Sequence, residues 1–270
     1  MSLWEAFGLG LLQGVTEFLP VSSSGHLVLA RAILGSDVTY GLTFDAVLHL
    51  ATVLAVIVYF WRDLYRLGQT VLRKLGRLPV NQDDALLLKV LVIGTIPAVV
   101  AGLLLESYVS VIFNSPLIVA ALLFTTAIFF MFAEYYHFRY PRQYQITTRS
   151  AWWVGGWQVL ALLPGVSRSG ITMGAGMIYG LSRTVATRFS FLLAIPLITG
   201  VGVKKLLDVL VEGGGAIPLM ALGVASVTAF VSALIVVHWF MNFVRRNTLW
   251  PFVWYILVLV SFILLAHWFA

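Results

Sequence analysis

The chain has no cysteine, few charged residues, and no lysine or arginine before Arg31. Without cysteine there is no disulfide, no thiolate metal site and no cysteine nucleophile. Only 10% of the 270 residues are charged, against about 25% in ordinary globular domains, and 60% are hydrophobic. A surface so poor in charge takes lipid as its solvent. No cation is available for the n-region of a cleavable signal peptide, so none is expected. The formal charge of +6 comes from Lys and Arg confined to a few connecting stretches. That pattern fits loops held in the cytoplasm and does not suggest nucleic-acid binding.

What is plentiful is apolar helix. Six stretches, 44–61, 85–105, 117–133, 189–203, 216–237 and 249–270, are candidates to span about 30 Å of hydrocarbon. The first and fourth are short and extend into their polar flanks. Two further stretches are interrupted. Residues 4–19 read as helix, break at Pro20 and Ser22-Ser23-Ser24-Gly25-His26, and resume only over 27–34. Residues 151–163 break at Pro164-Gly165 and Ser167-Arg168-Ser169-Gly170 and resume over 171–180. A helix of eight residues rises about 12 Å, too little to cross a bilayer. Each interrupted stretch therefore reads as a re-entrant hairpin with a polar turn at depth, which is tolerated only inside protein or beside a wet cavity.

The two interrupted stretches resemble each other. A shift of 145 places Gln13 on Gln158, Ser22 on Ser167, Ser24 on Ser169, Gly25 on Gly170 and Phe44 on Phe189. The expected fold is an all-α polytopic membrane protein of one domain, with six transmembrane helices and two re-entrant hairpins. Its halves, about 1–135 and 148–270, each hold a hairpin and three spans. An odd number of spans per half inverts the second copy. Basic residues from Arg62 to Arg77 and from Arg139 to Arg149, with Arg183, Arg188, Arg245 and Arg246, gather on one side. The positive-inside rule makes that side cytoplasmic and puts both termini and the mouth of the first hairpin outside.

An ionisable group inside a membrane is a functional candidate by default, and Glu17 and Arg168 both sit in apolar segments. The first hairpin adds Gln13, Ser22, Ser23, Ser24, Gly25 and His26; the second adds Ser167, Ser169, Gly170 and Thr172. A carboxylate, a histidine, a guanidinium and many hydroxyls suit a phosphate ester or anhydride. Helix N-termini beside the Ser/Gly turns would aim N–H groups at an anion. Gly25 and Gly170 let backbone come close to it, and Arg168 offers a fork for phosphate oxygens. Gln13 and Glu17, four apart on one helical face, can hold a hard divalent cation together with substrate oxygens. His26 can transfer protons or attack phosphorus; Ser23 can be the nucleophile if His26 or Glu17 takes its proton.

At these residues the chain closely resembles the bacterial undecaprenyl-diphosphate phosphatase family, also known as the bacitracin-resistance proteins. The resemblance rests on Gln13-x-x-x-Glu17, Pro20–His26 and Pro164–Gly170 with Thr172 following. It continues through Ile96-Pro97-Ala98 and Phe189–Pro196. Many members have Glu where this chain has Gln13, and an amide binds metal more weakly. The resemblance implies a multi-pass protein of the bacterial cytoplasmic (inner) membrane that acts at its outer face. Its reaction is the dephosphorylation of undecaprenyl diphosphate to the monophosphate, which recycles the lipid carrier for cell-wall synthesis and confers bacitracin resistance. It also implies a divalent cation, Mg2+ or Ca2+, as cofactor. A homodimer is the candidate assembly.

Other polar residues carry less. Asp45 and His49, four apart at the start of a span, either line the outer mouth of the site or pair across one turn. Gln158 is a candidate substrate contact because it mirrors Gln13. Trp152, Trp153 and Trp250 read as an aromatic belt, and His137, His238 and His267 as interfacial residues near helix ends. The alternative function is a polyprenyl-phosphate transporter or flippase, since inverted repeats with broken helices are also a transporter architecture. A type 2 phosphatidic acid phosphatase is excluded: no His or Asp follows Arg168 before Asp208.

Overall fold

The computed structural model describes residues 1–34, 41–109, 116–163, 165–212 and 218–269. Every regular element among them is a helix: α1 Leu3–Thr16, α2 Ser23–Leu34, α3 Gly41–Tyr59, α4 Trp61–Leu75, α5 Gln82–Val109, α6 Pro116–Arg139, α7 Thr148–Gln158, α8 Arg168–Tyr179, α9 Arg183–Glu212, α10 Leu219–Phe243 and α11 Trp250–Phe269. A short 3-10 segment, Val159–Leu162, extends α7. Pro164, residues 216 and 217 of an expected span, and the final residue lie outside the described set.

The chain is a polytopic membrane protein. Helices α5, α6, α9, α10 and α11 are long and apolar enough to cross a bilayer. The 19 residues of α3 rise about 28 Å, close to the hydrocarbon thickness. The chain then bends by 82° into α4. Sequence reading expected only a cytoplasmic connection here. Helix α4 escaped it because the search was for apolar spans, whereas α4 carries Arg62, Asp63, Arg66, Arg73 and Lys74 among Trp61, Leu67, Leu72 and Leu75. Ions hold the bend: Asp63 accepts from Arg66 and, at 2.9 Å, from Arg188 of α9.

The interrupted stretches are helix–break–helix units, α1/α2 and α7/α8, and the same contacts recur 145 positions apart. Gly10 of α1 lies so close to α10 that a methyl there would sit 2.3 Å from the Ala225 carbonyl oxygen. Gly155 of α7 meets α5 in the same way, with 2.6 Å to the Gly94 carbonyl oxygen. Gln13 and Gln158 are both fully buried, and each has a side-chain oxygen with no partner. The long helices pack around these units in a large apolar core that includes Phe18, Val119, Phe130, Phe189, Phe191 and Phe240, and in a smaller one where Leu9 and Leu27 of the first unit meet Phe44 and Leu48 of α3 and Ala225 of α10. Glu134, buried on α6, accepts two bonds from Arg183, at 3.0 and 2.6 Å, and one from the Leu249 N–H at 2.7 Å. A single carboxylate thus fastens the starts of α9 and α11 to the end of α6.

Candidate active site

Both second half-helices start earlier than the sequence suggests, at Ser23 rather than 27 and at Arg168 rather than 171, four and three residues respectively. The reason is capping. The Ser167 hydroxyl accepts from the Gly170 N–H at 3.1 Å, and the Ser22 hydroxyl stands 3.4 Å from the Gly25 N–H. These caps satisfy donors that would otherwise be orphaned and let a Ser/Gly run enter the helix. The N–H groups of Gly25 and Gly170 are therefore spent on serines, while those of Ser23, Ser24, Arg168 and Ser169 take no partner among the described residues. Gly25 and Gly170 also serve packing. An added methyl would stand 3.2 Å from Val119 at Gly25 and 2.9 Å from Phe130 at Gly170, both residues of α6.

The two breaks meet. Ser169 Oγ donates to the Leu19 carbonyl at 2.8 Å, and the Gly165 N–H approaches Ser24 Oγ at 3.4 Å. Gly165 has φ +95°, which glycine alone adopts freely, and Ser22 is held at φ 66°, in the left-handed region. Strain of this kind persists where surrounding structure over-determines it, and it clusters at functional sites.

Glu17, buried at the end of α1, is the centre of the site. Its Oε2 accepts from Ser23 Oγ at 2.6 Å and from Gln13 Nε2 at 2.8 Å, and stands 2.9 Å from His49 Nδ1. Its Oε1 accepts from the Arg168 guanidinium at 3.1 Å. Arg168 is held over the Phe18 ring at 5.5 Å and donates to the Ser190 carbonyl at 3.3 Å. The structure therefore brings Gln13, Glu17, Ser23 and Arg168 into direct contact and adds His49, whose role its sequence position left undecided. Asp45 is engaged elsewhere, as the ion-pair partner of Arg31.

The remaining predicted residues divide. Ser22 with Ser24, and Ser167 with Ser169, form hydroxyl pairs at 3.3 and 3.1 Å. Thr172 turns from the break to Ser190 Oγ at 2.6 Å. Gln158 donates to the Gly94 carbonyl at 3.2 Å, so its hydrogen bond goes to α5 and not to Glu17 or Arg168. His26 lies one turn beyond Ser23 on α2, but its ring bonds to neither Ser23 nor Glu17. Its Nδ1 donates to the Ser22 carbonyl at 2.8 Å, and its Nε2 faces the Tyr255 hydroxyl at 2.7 Å. Tyr255 was not found from sequence; an aromatic 229 positions away on an apolar helix reads only as lipid-facing.

The donors at Glu17 fit a metal ion. Gln13 Nε2, Glu17 Oε2 and His49 Nδ1 are mutually 2.8–2.9 Å apart. With Glu17 ionised beside Arg168, His49 Nδ1 must donate to Glu17, yet it must accept to bond the Gln13 amide. Hydrogen bonds alone cannot satisfy all three pairs. A half-turn of the amide would bring the orphaned Gln13 Oε1 inward, free His49 Nδ1 to donate to Glu17, and let Gln13 and Glu17 present oxygen lone pairs to one cation. Among the described residues no three His, Cys, Asp or Glu side chains cluster.

The fold and this cluster define a polytopic membrane protein with a buried serine–carboxylate pair beside an arginine. Comparison with known proteins gives the particular case. Residues 6–262 match the family described as Bacitracin resistance protein BacA, and the chain belongs to that family. It is 40% identical over 262 residues to an undecaprenyl-diphosphatase of Micrococcus luteus, covering 96% of this chain and 95% of that protein. An undecaprenyl-diphosphatase of Trichlorobacter lovleyi is 42% identical over 260 residues, 94% of this chain and 93% of its own. One from Rubrobacter xylanophilus is 38% identical over 265 residues, covering 97% of each.

Proposed function

We propose that this chain is an undecaprenyl-diphosphatase, which removes the terminal phosphate of the lipid diphosphate and so underlies carrier recycling and bacitracin resistance. The observation that carries the mechanism is the Ser23 hydroxyl on Glu17 Oε2 at 2.6 Å, beside Arg168. A serine paired with a buried carboxylate has its base in place. Ser23 Oγ attacks the terminal phosphorus and its proton passes to Glu17. As the Oγ–P bond forms, the bond from that phosphorus to the bridging oxygen breaks, and the electron pair leaves with the lipid monophosphate. Water then cleaves the Oγ–P bond; its oxygen stays with the phosphate and a proton returns to Oγ. Arg168, the hydroxyl pairs and the free N–H groups of Ser23, Ser24, Arg168 and Ser169 bind the phosphate oxygens. His26, on the face of α2 that carries Ser23, handles the proton at the leaving oxygen. Glu17 and Gln13 would hold a divalent cation, magnesium or calcium, through oxygen, with His49 steadying Glu17; the cation would supply charge to offset that of the diphosphate.

In this reading α1/α2 and α7/α8 are re-entrant hairpins of two inverted halves, 1–135 and 148–270. They enter from opposite faces, with the first opening outward. The recurring contacts of Gly10 and Gly155 support the repeat, and the basic side supports the orientation. The test is phosphate release by Ser23→Ala set beside equilibrium binding of a non-hydrolysable diphosphate. Turnover is expected to fall at least about a hundredfold, the lower end for losing such assistance, with binding retained. Turnover within a few fold of wild type would move the nucleophile elsewhere, to water activated by Glu17.

A further inference from the structure

Tyr255 reaches the site from α11, outside both hairpins, and touches the histidine rather than the Glu17 cluster. Its hydroxyl lies 2.7 Å from His26 Nε2, and its ring stacks on the imidazole with 5.7 Å between centroids and 6° between planes. The other ring nitrogen has a fixed role. The Ser22 carbonyl, 2.8 Å from Nδ1, can only accept, so Nδ1 carries a hydrogen in every protonation state. This carbonyl is aimed by the left-handed Ser22 backbone, φ 66°, and also takes the His26 N–H at 3.2 Å. Proton gain and loss by His26 are thereby confined to Nε2. The partner there is a hydroxyl, whose single oxygen can donate to the neutral ring and accept from the charged one without moving. A carboxylate at that place, which only accepts when ionised, would favour the charged ring.

We propose that Tyr255 is a positioning residue for His26: its hydroxyl holds Nε2 in both protonation states, and its ring fixes the imidazole plane. This rests on the reading of His26 as the proton handler of phosphate release.

Tyr255→Phe keeps the stacked ring and removes only the hydroxyl, so any effect cannot be lost packing. Two readouts are made on wild type and variant. The first is 15N NMR of histidine-labelled protein at mildly alkaline pH, with the His26 signals assigned by their loss in His26→Gln. Wild type is expected to show His26 as the Nδ1–H tautomer, and its Nε2 signal should move when the hydroxyl is removed. The second is phosphate release from undecaprenyl diphosphate, where kcat should fall about two- to tenfold, the range for one hydrogen bond, with KM within about twofold. An Nε2–H tautomer in wild type, a His26 signal unmoved in Tyr255→Phe, or an unchanged kcat would each overturn the proposal. Absence of phosphate release by wild type would instead sink the hydrolase reading, and the NMR comparison would still decide whether Tyr255 holds His26.

Discussion

Glu17 has four neighbours on its two oxygens: Ser23, Gln13, His49 and Arg168. That crowding explains why a carboxylate can stay ionised away from water, since a buried charge must be paired and hydrogen-bonded. It also divides the labour. Arg168 meets Oε1, which leaves Oε2 to the serine proton. His49 supports Oε2 from α3, with Nδ1 at 2.9 Å as an N–H donor. A glutamine at position 49 can supply the same donor through its amide nitrogen. His49→Gln is therefore expected to keep turnover within a few fold, whereas His49→Leu should lose about tenfold or more, on the scale of a hydrogen bond to a charged group. Equal turnover in the two variants would remove His49 from the site. Sequence gave Glu17, Ser23 and Arg168 away because charge and hydroxyls are out of place in an apolar segment. His49 and Tyr255 gave no such signal, because they enter the site from α3 and α11 and only folding shows which way each faces.

At the scale of elements, the breaks were legible and the helix starts were not. Pro20 and the Ser/Gly runs mark the interruption, but a serine cap pulls the helix start back over residues that are poor helix formers on their own. Ser23 and Arg168 consequently stand at the first turn of a helix rather than in a loop, which fixes their direction. The close approaches of α1 to α10 and of α7 to α5 set the depth of each unit. Gly10→Ala and Gly155→Ala force methyl groups to 2.3 and 2.6 Å from facing carbonyl oxygens. Each should cost about 1–3 kcal/mol, as overpacking does, and lower the unfolding temperature in detergent. Gly8 on the exposed side of α1 has nothing within 4 Å of an added methyl, so Gly8→Ala is the control. A drop as large for Gly8→Ala would show that helix contact is not the cause. Helix α4 lay beyond sequence reading for a different reason: charge and apolar residues alternate by turn, and a search for spans discards such a segment.

For the whole molecule, composition pointed to lipid as the solvent, which the long apolar helices bear out, and the distribution of Lys and Arg is what supports the proposed orientation. The absence of cysteine makes that orientation easy to test. Single cysteines placed at Ser2 and at Gln69 of α4 should behave oppositely towards an impermeant reagent on intact cells, with Ser2 labelled and Gln69 protected. Labelling at Gln69 alone would invert the protein and close the proposed outward mouth. The central claim, that the cluster around Glu17 hydrolyses a lipid diphosphate and does not merely carry one, is met most directly by one assay. Purified wild-type protein in detergent is given undecaprenyl diphosphate with no partner and no gradient, first with magnesium or calcium and then with chelator. The account predicts steady phosphate release with the metal, its loss in chelator and its return when the metal is restored. Binding of the lipid without phosphate release under any metal condition would contradict it and leave the protein a carrier.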